Sequence, residues 1–168
     1  FFMNKAWMIR AEGGTLIDMF LSNKIAAIGW YEMGDLSKYN KETMLKTFKI
    51  TYPDSKEAAS RIISGVLYRF TNEIKPDDGV ITYDPSRRIY HWGEFKSEYK
   101  YDESFGEWPN MRKVEWQKEI SRDRLSVSSR NTLGSSLTLF SLPKECIKEI
   151  KGNNGNVGDF SETEVDAE

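Results

Sequence analysis

A chain of 168 residues with 39% hydrophobic and 13% aromatic side chains is long enough for one domain with a sizeable core and too short for two. One cysteine, Cys146, and one histidine, His91, exclude a disulfide framework and a zinc site built from this chain alone. No window approaches the roughly 18 uncharged apolar residues of a membrane helix, and no signal-peptide pattern opens the chain, so a cytoplasmic protein without metal or cofactor is expected. The net charge of −2 is unevenly spread, because everything after Lys151 carries Asp159, Glu162, Glu164, Asp166 and Glu168 and no Lys or Arg; without those five the first 151 residues carry +3. A mildly basic core is compatible with nucleic acid, and equally with a solvated charged face.

Phe1 and Phe2 precede Met3, the expected natural start. Residues 6–10, AWMIR, predict a short apolar strand, and the Gly13-Gly14 turn leads into a helix over 15–22 with Thr15 as its N-cap. Residues 25–30, IAAIGW, predict a second buried strand, so that this β-α-β start implies a right-handed crossover between neighbouring strands. A short helix is expected over 41–50. A long one follows, capped by Asp54-Ser55, in which Ala58, Ala59, Ile62, Ile63, Val66, Leu67 and Phe70 recur at three-and-four spacing.

Residues 79–101, GVITYDPSRRIYHWGEFKSEYKY, predict a β-meander dense in aromatics, with Asp84-Pro85-Ser86 as its turn and Arg87 and Arg88 beside it. Gly93 in mid-strand marks an expected bulge, and a strongly bent small sheet follows. After a loop over 102–110 that contains Trp108-Pro109, residues 112–117 alternate as a strand, 121–129 predict a helix, 131–134 a turn, 136–142 a last strand and 144–150 a last helix. The basic residues of 112–130, Arg112, Lys113, Lys118, Arg122, Arg124 and Arg130, outnumber its acids. From Gly152 the composition is that of an acidic Gly/Asn-rich linker, which gives a domain over 3–151 and a linker over 152–168 toward a further C-terminal domain.

Three chemistries compete. Pro76-Asp77 followed by Glu94-Phe95-Lys96 resembles the PD…(D/E)xK pattern of nucleases, in which carboxylates hold magnesium and a lysine assists the attacking water; a turn and a solvated strand face give the same letters. His91 between Tyr90 and Trp92 reads as a hydrogen-bonded structural residue and Cys146 as a small buried hydrophobe, so neither supplies a nucleophilic triad. No Gly-rich phosphate loop is present. The third is an aromatic slot for a planar base, built from Trp30 and Tyr31 at the end of the second strand and Trp92, Tyr99 and Tyr101 of the meander. Aromatics in strands more often belong to the core.

The ordered set AWMIRA, IAAIGW, GVITYDP…YHWGEF…YKY and RKVEW…SRDRLS…RNTLGSSLTLF, spanning about residues 5–142, resembles the PUA-like superfamily. Within it the pattern is similar to EVE and YTH-type domains, and most to the N-terminal domain of Mrr-like modification-dependent restriction endonucleases. The resemblance implies an α+β fold, a PUA-like (EVE/YTH-type) curved β-barrel flanked by helices, with a pocket for a base flipped out of the duplex. It places Trp30 at one wall of an aromatic cage, Tyr99 or Tyr101 near another, and Arg10 to Glu12 and Asn131 at the base edge. The sequence departs from the YTH pattern in its longer helical insertion over 41–74 and in having no clear tryptophan for the second wall.

The expected function is therefore a non-catalytic DNA-binding specificity module. It would recognise a methylated or hydroxymethylated base as the N-terminal part of a type IV restriction endonuclease, with Arg87, Arg88, Lys113, Arg122, Arg124 and Arg130 on phosphates. Expected partners are modified duplex DNA, a nuclease domain in cis, and a second copy through that domain. The alternatives are an RNA-binding PUA-like domain and a nuclease using Asp77, Glu94 and Lys96.

Overall fold

A computed structural model describes residues 4–153; the expected start at Met3 and the expected linker beyond Asn153 lie outside the described residues. Strands β1 (Ala6–Ile9), β2 (Ile25–Ile28), β3 (Gly79–Asp84), β4 (Ile89–Phe95), β6 (Asn110–Ser121) and β7 (Leu139–Ser141) form one sheet in the order β2-β6-β4-β3-β1-β7, and β5 (Lys100–Tyr101) adds to β6. β1 and β3 run parallel and the other pairs antiparallel. Five helices cover this curved mixed sheet, α1 (Ile17–Asn23), α2 (Lys41–Thr51), α3 (Glu57–Asn72), α4 (Val127–Leu133) and α5 (Lys144–Gly152). The fold class is α+β, a curled half-barrel flanked by helices.

The curvature has a local cause. The β4–β6 register shifts between Trp92 and Gly93, and a Cβ on Gly93 would lie 2.3 Å from the Glu115 carbonyl oxygen, a contact only glycine tolerates. β6 is the spine: its first residues pair with β2 and the rest with β4, so a single twelve-residue strand carries the bend.

Several sequence expectations are corrected here. β1 and β2 are not neighbours; β1 lies between β3 and β7, and β2 stands at the far end of the order. The linking residues 10–24 are long enough for a parallel crossover, but α1 inserts Ile17 and Phe20 into the core and β2 pairs antiparallel with the start of β6 instead. α3 starts after Lys56 without a side-chain cap, not at Asp54-Ser55. The helix expected over 121–129 is a 3-10 turn, Arg122–Arg124, followed by α4, whose start is fixed by the Ser126 side chain on the Ser129 N–H (3.1 Å) and by Glu149, which accepts from the Ser126 N–H (2.6 Å). Asn131 therefore sits in a helix. Among the described residues no helix is long and apolar enough to cross a membrane.

Strand alternation divides the core in two. Trp7, Ile9, Val80 and Phe95 face α1, α2 and α3 through Phe20, Met44, Phe48, Leu67 and Phe70. Ala6, Met8, Ile81, Tyr90 and Trp92 face α4 and α5 through Leu133, Cys146, Ile147 and Ile150. Burying each large side chain contributes about 1.5–3 kcal/mol.

One cation is enclosed in the first of these cores. Arg112 is 0% exposed. Its guanidinium donates to the carbonyls of Phe70 (2.8 Å) and Thr71 (3.1 Å) in the last turn of α3 and to that of Ser97 (3.1 Å), and it lies over the rings of Phe70 and Phe95. Desolvation lowers its pKa to about 10, so it is still charged at neutral pH and caps the negative end of the α3 dipole. Arg112→Met keeps the apolar stem and leaves three carbonyls without a donor, each costing about 1 kcal/mol or more. A loss of roughly 3 kcal/mol in unfolding free energy is expected, read from the urea midpoint.

His91 is buried, as expected of a structural residue, but its Nε2 has no hydrogen-bond partner among the described residues. Burial lowers its pKa, although Glu119 and Asp84 lie near enough to oppose the shift. A folded value below the unfolded one means that the full contribution to stability is present above about pH 6.5 and is lost as pH falls toward the folded value. The urea midpoint should drop between pH 7 and pH 5, and His91→Gln should flatten that drop.

Candidate functional site

The two ends of the strand order meet at a seam, where a cavity of about 320 Å³ opens. One side is made by Arg10 and Glu12, which follow β1, and Thr138, which precedes β7; the other by residues 27–32 at the end of β2; and Glu107 and Trp108, ahead of β6, complete it.

Trp30 is turned toward the cavity by its backbone. Its φ of 63° is left-handed, a conformation costing on the order of 1–3 kcal/mol for a residue this bulky. It lies two residues after β2 and starts a 3-10 turn, Tyr31–Met33, in which the Met33 N–H donates to the Trp30 carbonyl (3.0 Å). Glu12, across the seam, is also left-handed at φ 51°. The Trp108 indole lies on Gly29, where an added Cβ would be 3.3 Å from the ring. Trp30 and Trp108 both pack against the first core, so each wall is anchored from behind.

The polar groups are fixed as well. Arg10 is half-buried; its Nη2 donates to the carbonyls of Leu133 (3.2 Å) and Ser135, which ties the α4–β7 loop to the cavity. Desolvation lowers its pKa, and Tyr90 opposes this. Glu32 accepts from the Tyr52 hydroxyl (2.6 Å), whose pKa is raised by burial and by that carboxylate.

Of the residues singled out in the sequence, the structure brings Arg10, Glu12, Trp30 and Tyr31 to this cavity. Trp92 is 3% exposed in the second core, with its ring where a Cβ of Gly79 would lie 2.2 Å away, and so cannot stack on a ligand. Tyr99 packs edge-on to Phe70, and its hydroxyl accepts from the Leu36 N–H (2.8 Å) and points at Asp35 Oδ1 (3.2 Å) and Asn110 Oδ1. It brackets the segment after β2 against β6 rather than forming a wall. Tyr101 of β5 pairs with Asn110 of β6, and Asn131 is exposed on α4; neither lines the cavity. Glu32, Glu107, Thr138 and above all Trp108 also line the cavity and are not singled out by the sequence; the one signal for Trp108 is a large aromatic in a polar loop ahead of a proline.

The expected phosphate contacts divide. Arg87 and Arg88 at the β3–β4 turn and Arg122 and Arg124 after β6 share one edge, joined by the Arg122 N–H to the Arg88 carbonyl (3.0 Å). Glu119 pairs with Arg87 (3.3 Å) and Asp123 with Arg88. Burial raises the pKa of Tyr90, and Arg122 of this edge and Arg10 of the cavity both oppose that rise. Arg130 lies on α4, one turn before the Leu133 carbonyl that Arg10 holds. Lys113 is elsewhere, on β6 opposite Ile25.

Asp77, Glu94 and Lys96 do converge, with Lys96 Nζ 2.8 Å from Asp77 Oδ1 and 2.9 Å from Glu94 Oε1. The lysine sits between the carboxylates, where a cation would have to bind, and both hold its pKa above the usual range. Among the described residues no group of three or more His, Cys, Asp or Glu side chains is placed to hold a metal ion.

Residues 7–143 match the family model described as a domain of unknown function, DUF8426. The chain belongs to the DUF8426 family. No curated protein matches it. Among solved structures, the DUF8426 domain is similar to the YTH domain of the Zygosaccharomyces rouxii MRB1 protein in complex with N6-methyladenosine RNA, at 12% identity and a TM-score of 0.48 over 88% of this chain and 84% of that one. It is also similar to the Pho92 YTH domain in complex with m6A, at 13% identity and a TM-score of 0.45 over 88% and 83%. The same holds for protein Atu2648 from Agrobacterium tumefaciens, at 10% identity and a TM-score of 0.38 over 87% and 90%.

The contact of Trp108 with Gly29 can be tested directly. In Gly29→Ala the new methyl at 3.3 Å must displace the indole, so tryptophan emission should shift and quencher access to Trp108 should rise. Trp108→Phe is the background that removes this signal.

Proposed function

We propose that this DUF8426 domain reads a modified base in nucleic acid, by taking the base into the seam cavity between Trp30 and Trp108. The observation that carries the reading is that two tryptophans from separate segments, one held in a left-handed conformation, wall the same cavity with Arg10 at its polar side. A flipped base costs a few kcal/mol to unstack; stacking on an aromatic face contributes about 1–3 kcal/mol, so two walls offset the cost. Arg10 commits Nη2 to backbone carbonyls, and its remaining donors suit a base acceptor, while the carboxylates of the lining suit an exocyclic amino group.

The edge formed by Arg87, Arg88, Arg122 and Arg124 is suited to holding phosphates without reading sequence. This favours duplex DNA as the ligand and a role as specificity module to a nuclease domain of the same polypeptide, as the sequence resemblance to Mrr-like enzymes implies. Lys113 lies outside that edge and is left out of the proposed phosphate contacts, and Trp92, Tyr99, Tyr101 and Asn131 are left out of the proposed base contacts.

The test is binding of short duplexes with one methylated, one hydroxymethylated or no modified base, alongside single-stranded RNA, followed by fluorescence anisotropy. Preference for a modified duplex is expected, with Trp30→Ala and Trp108→Ala each weakening it by roughly 10- to 100-fold. Affinity should fall steeply with salt, and removing Arg124 should lower the salt slope by about 1. Equal binding to all duplexes would reject the reader, and preference for single-stranded RNA would move the reading to RNA.

A further inference from the structure

We infer that the base held in this cavity is a cationic one, methylated on a ring nitrogen, rather than a neutral base methylated on carbon or on an exocyclic amine. The inference rests on the base-reader reading above and concerns the charge of its ligand. The lining contains Glu12, Glu32 and Glu107 against one basic residue, Arg10, and no lysine. The charge of Arg10 is directed in part to the carbonyls of Leu133 and Ser135, and Glu32 is held in place by the Tyr52 hydroxyl. The cavity is therefore locally anionic, in contrast to the arginine edge.

That separation has a physical consequence. A neutral base gains nothing from surplus carboxylates beyond one or two hydrogen bonds, and a phosphate is repelled from them. A planar cation gains twice, from the carboxylates and from the negative faces of two indoles, since the attraction of a cation to a tryptophan face strengthens as water is excluded. Flat walls suit a flat cation such as 7-methylguanine, 1-methyladenine or 3-methylcytosine. For the last two, the methyl also occupies the Watson–Crick edge; such a base no longer pairs, and extruding it costs least.

The experiment uses the whole chain and two sets of probes. Short duplexes carry a single 1-methyladenine, 3-methylcytosine, N6-methyladenine or 5-methylcytosine, and free 7-methylguanosine is compared with guanosine to separate charge from loss of pairing. Binding of the cationic member of each comparison should be at least about tenfold tighter. The exposed pair Glu12→Gln and Glu107→Gln removes charge at nearly constant shape and should bring the ratio near one by weakening the cationic bases, with the urea midpoint read alongside to show that the fold is kept. Neutral methylated bases bound as tightly as cationic ones would overturn the inference and leave the base reader standing. Failure to bind any modified base would overturn both, and so would tighter binding of a trimethyl-lysine peptide than of every nucleoside.

Discussion

The interaction on which the rest of this structure depends is the enclosure of Arg112 by three backbone carbonyls. A guanidinium hydrogen-bonded to carbonyls, with Glu98 and Asp78 acting on it only through space, is an unusual core group, because desolvating it is costly and a helix end returns only part of that. It is tolerated here because a planar fork of donors meets two carbonyls of α3 and one of the strand-to-strand link at Ser97, and aromatic rings fill the space around it. The result is that the start of β6 cannot slide. Since Met111 and Asn110 pair with Ala27 and Ile28, and Trp108 lies just upstream, the same fixture sets the relation between the two walls of the cavity.

Aromatic residues in this chain divide by what stands behind them. Trp7 donates its indole N–H to buried Asp78 (2.9 Å) and Trp116 donates to the carbonyl of Phe20 (3.1 Å), so both are spent on internal polar groups. Tyr99 uses its hydroxyl as a bracket among Leu36, Asp35 and Asn110. Trp30 and Trp108 are the two that pack on the core with one side and line the cavity with another. Residue type alone does not separate these roles; the partner of the ring nitrogen or hydroxyl does.

That is also why the fold was more legible than the site. Periodicity in residues 58–70, the turn at Asp84-Pro85-Ser86 and glycine at 93 each act through local backbone geometry, and the hairpin, the bulge and the long helix follow from them. The β1–α1–β2 start misled because the partner of β2 is the start of β6, a non-local antiparallel pairing that no spacing near β2 encodes. Trp30 was legible because an aromatic at a strand end beside polar residues has nowhere internal to go. Trp108 was not, because what brings it to the cavity is a non-local contact with Gly29, and no spacing in the sequence encodes it. Arg112 looked like one more charge of a basic segment, since its burial depends on α3, some forty residues away.

Backbone strain ties these threads together. Of the five non-glycine residues with positive φ among the described ones, Glu12 and Trp30 line the same cavity from opposite sides of the seam. Neither residue is chosen for that conformation by local preference, so the surrounding structure must enforce it. The enforcement is visible: Trp30 is held by the Met33 N–H and by core packing, and the turn after Glu12 by the Thr15 hydroxyl on its carbonyl (2.9 Å). The cost of placing these side chains is thus met during folding, by contacts of the size of the Arg112 fixture, and not at the moment a ligand enters. A cavity built this way is preorganised, and under the proposed reading the stacking energy of a planar base would go into affinity instead of into ordering the walls.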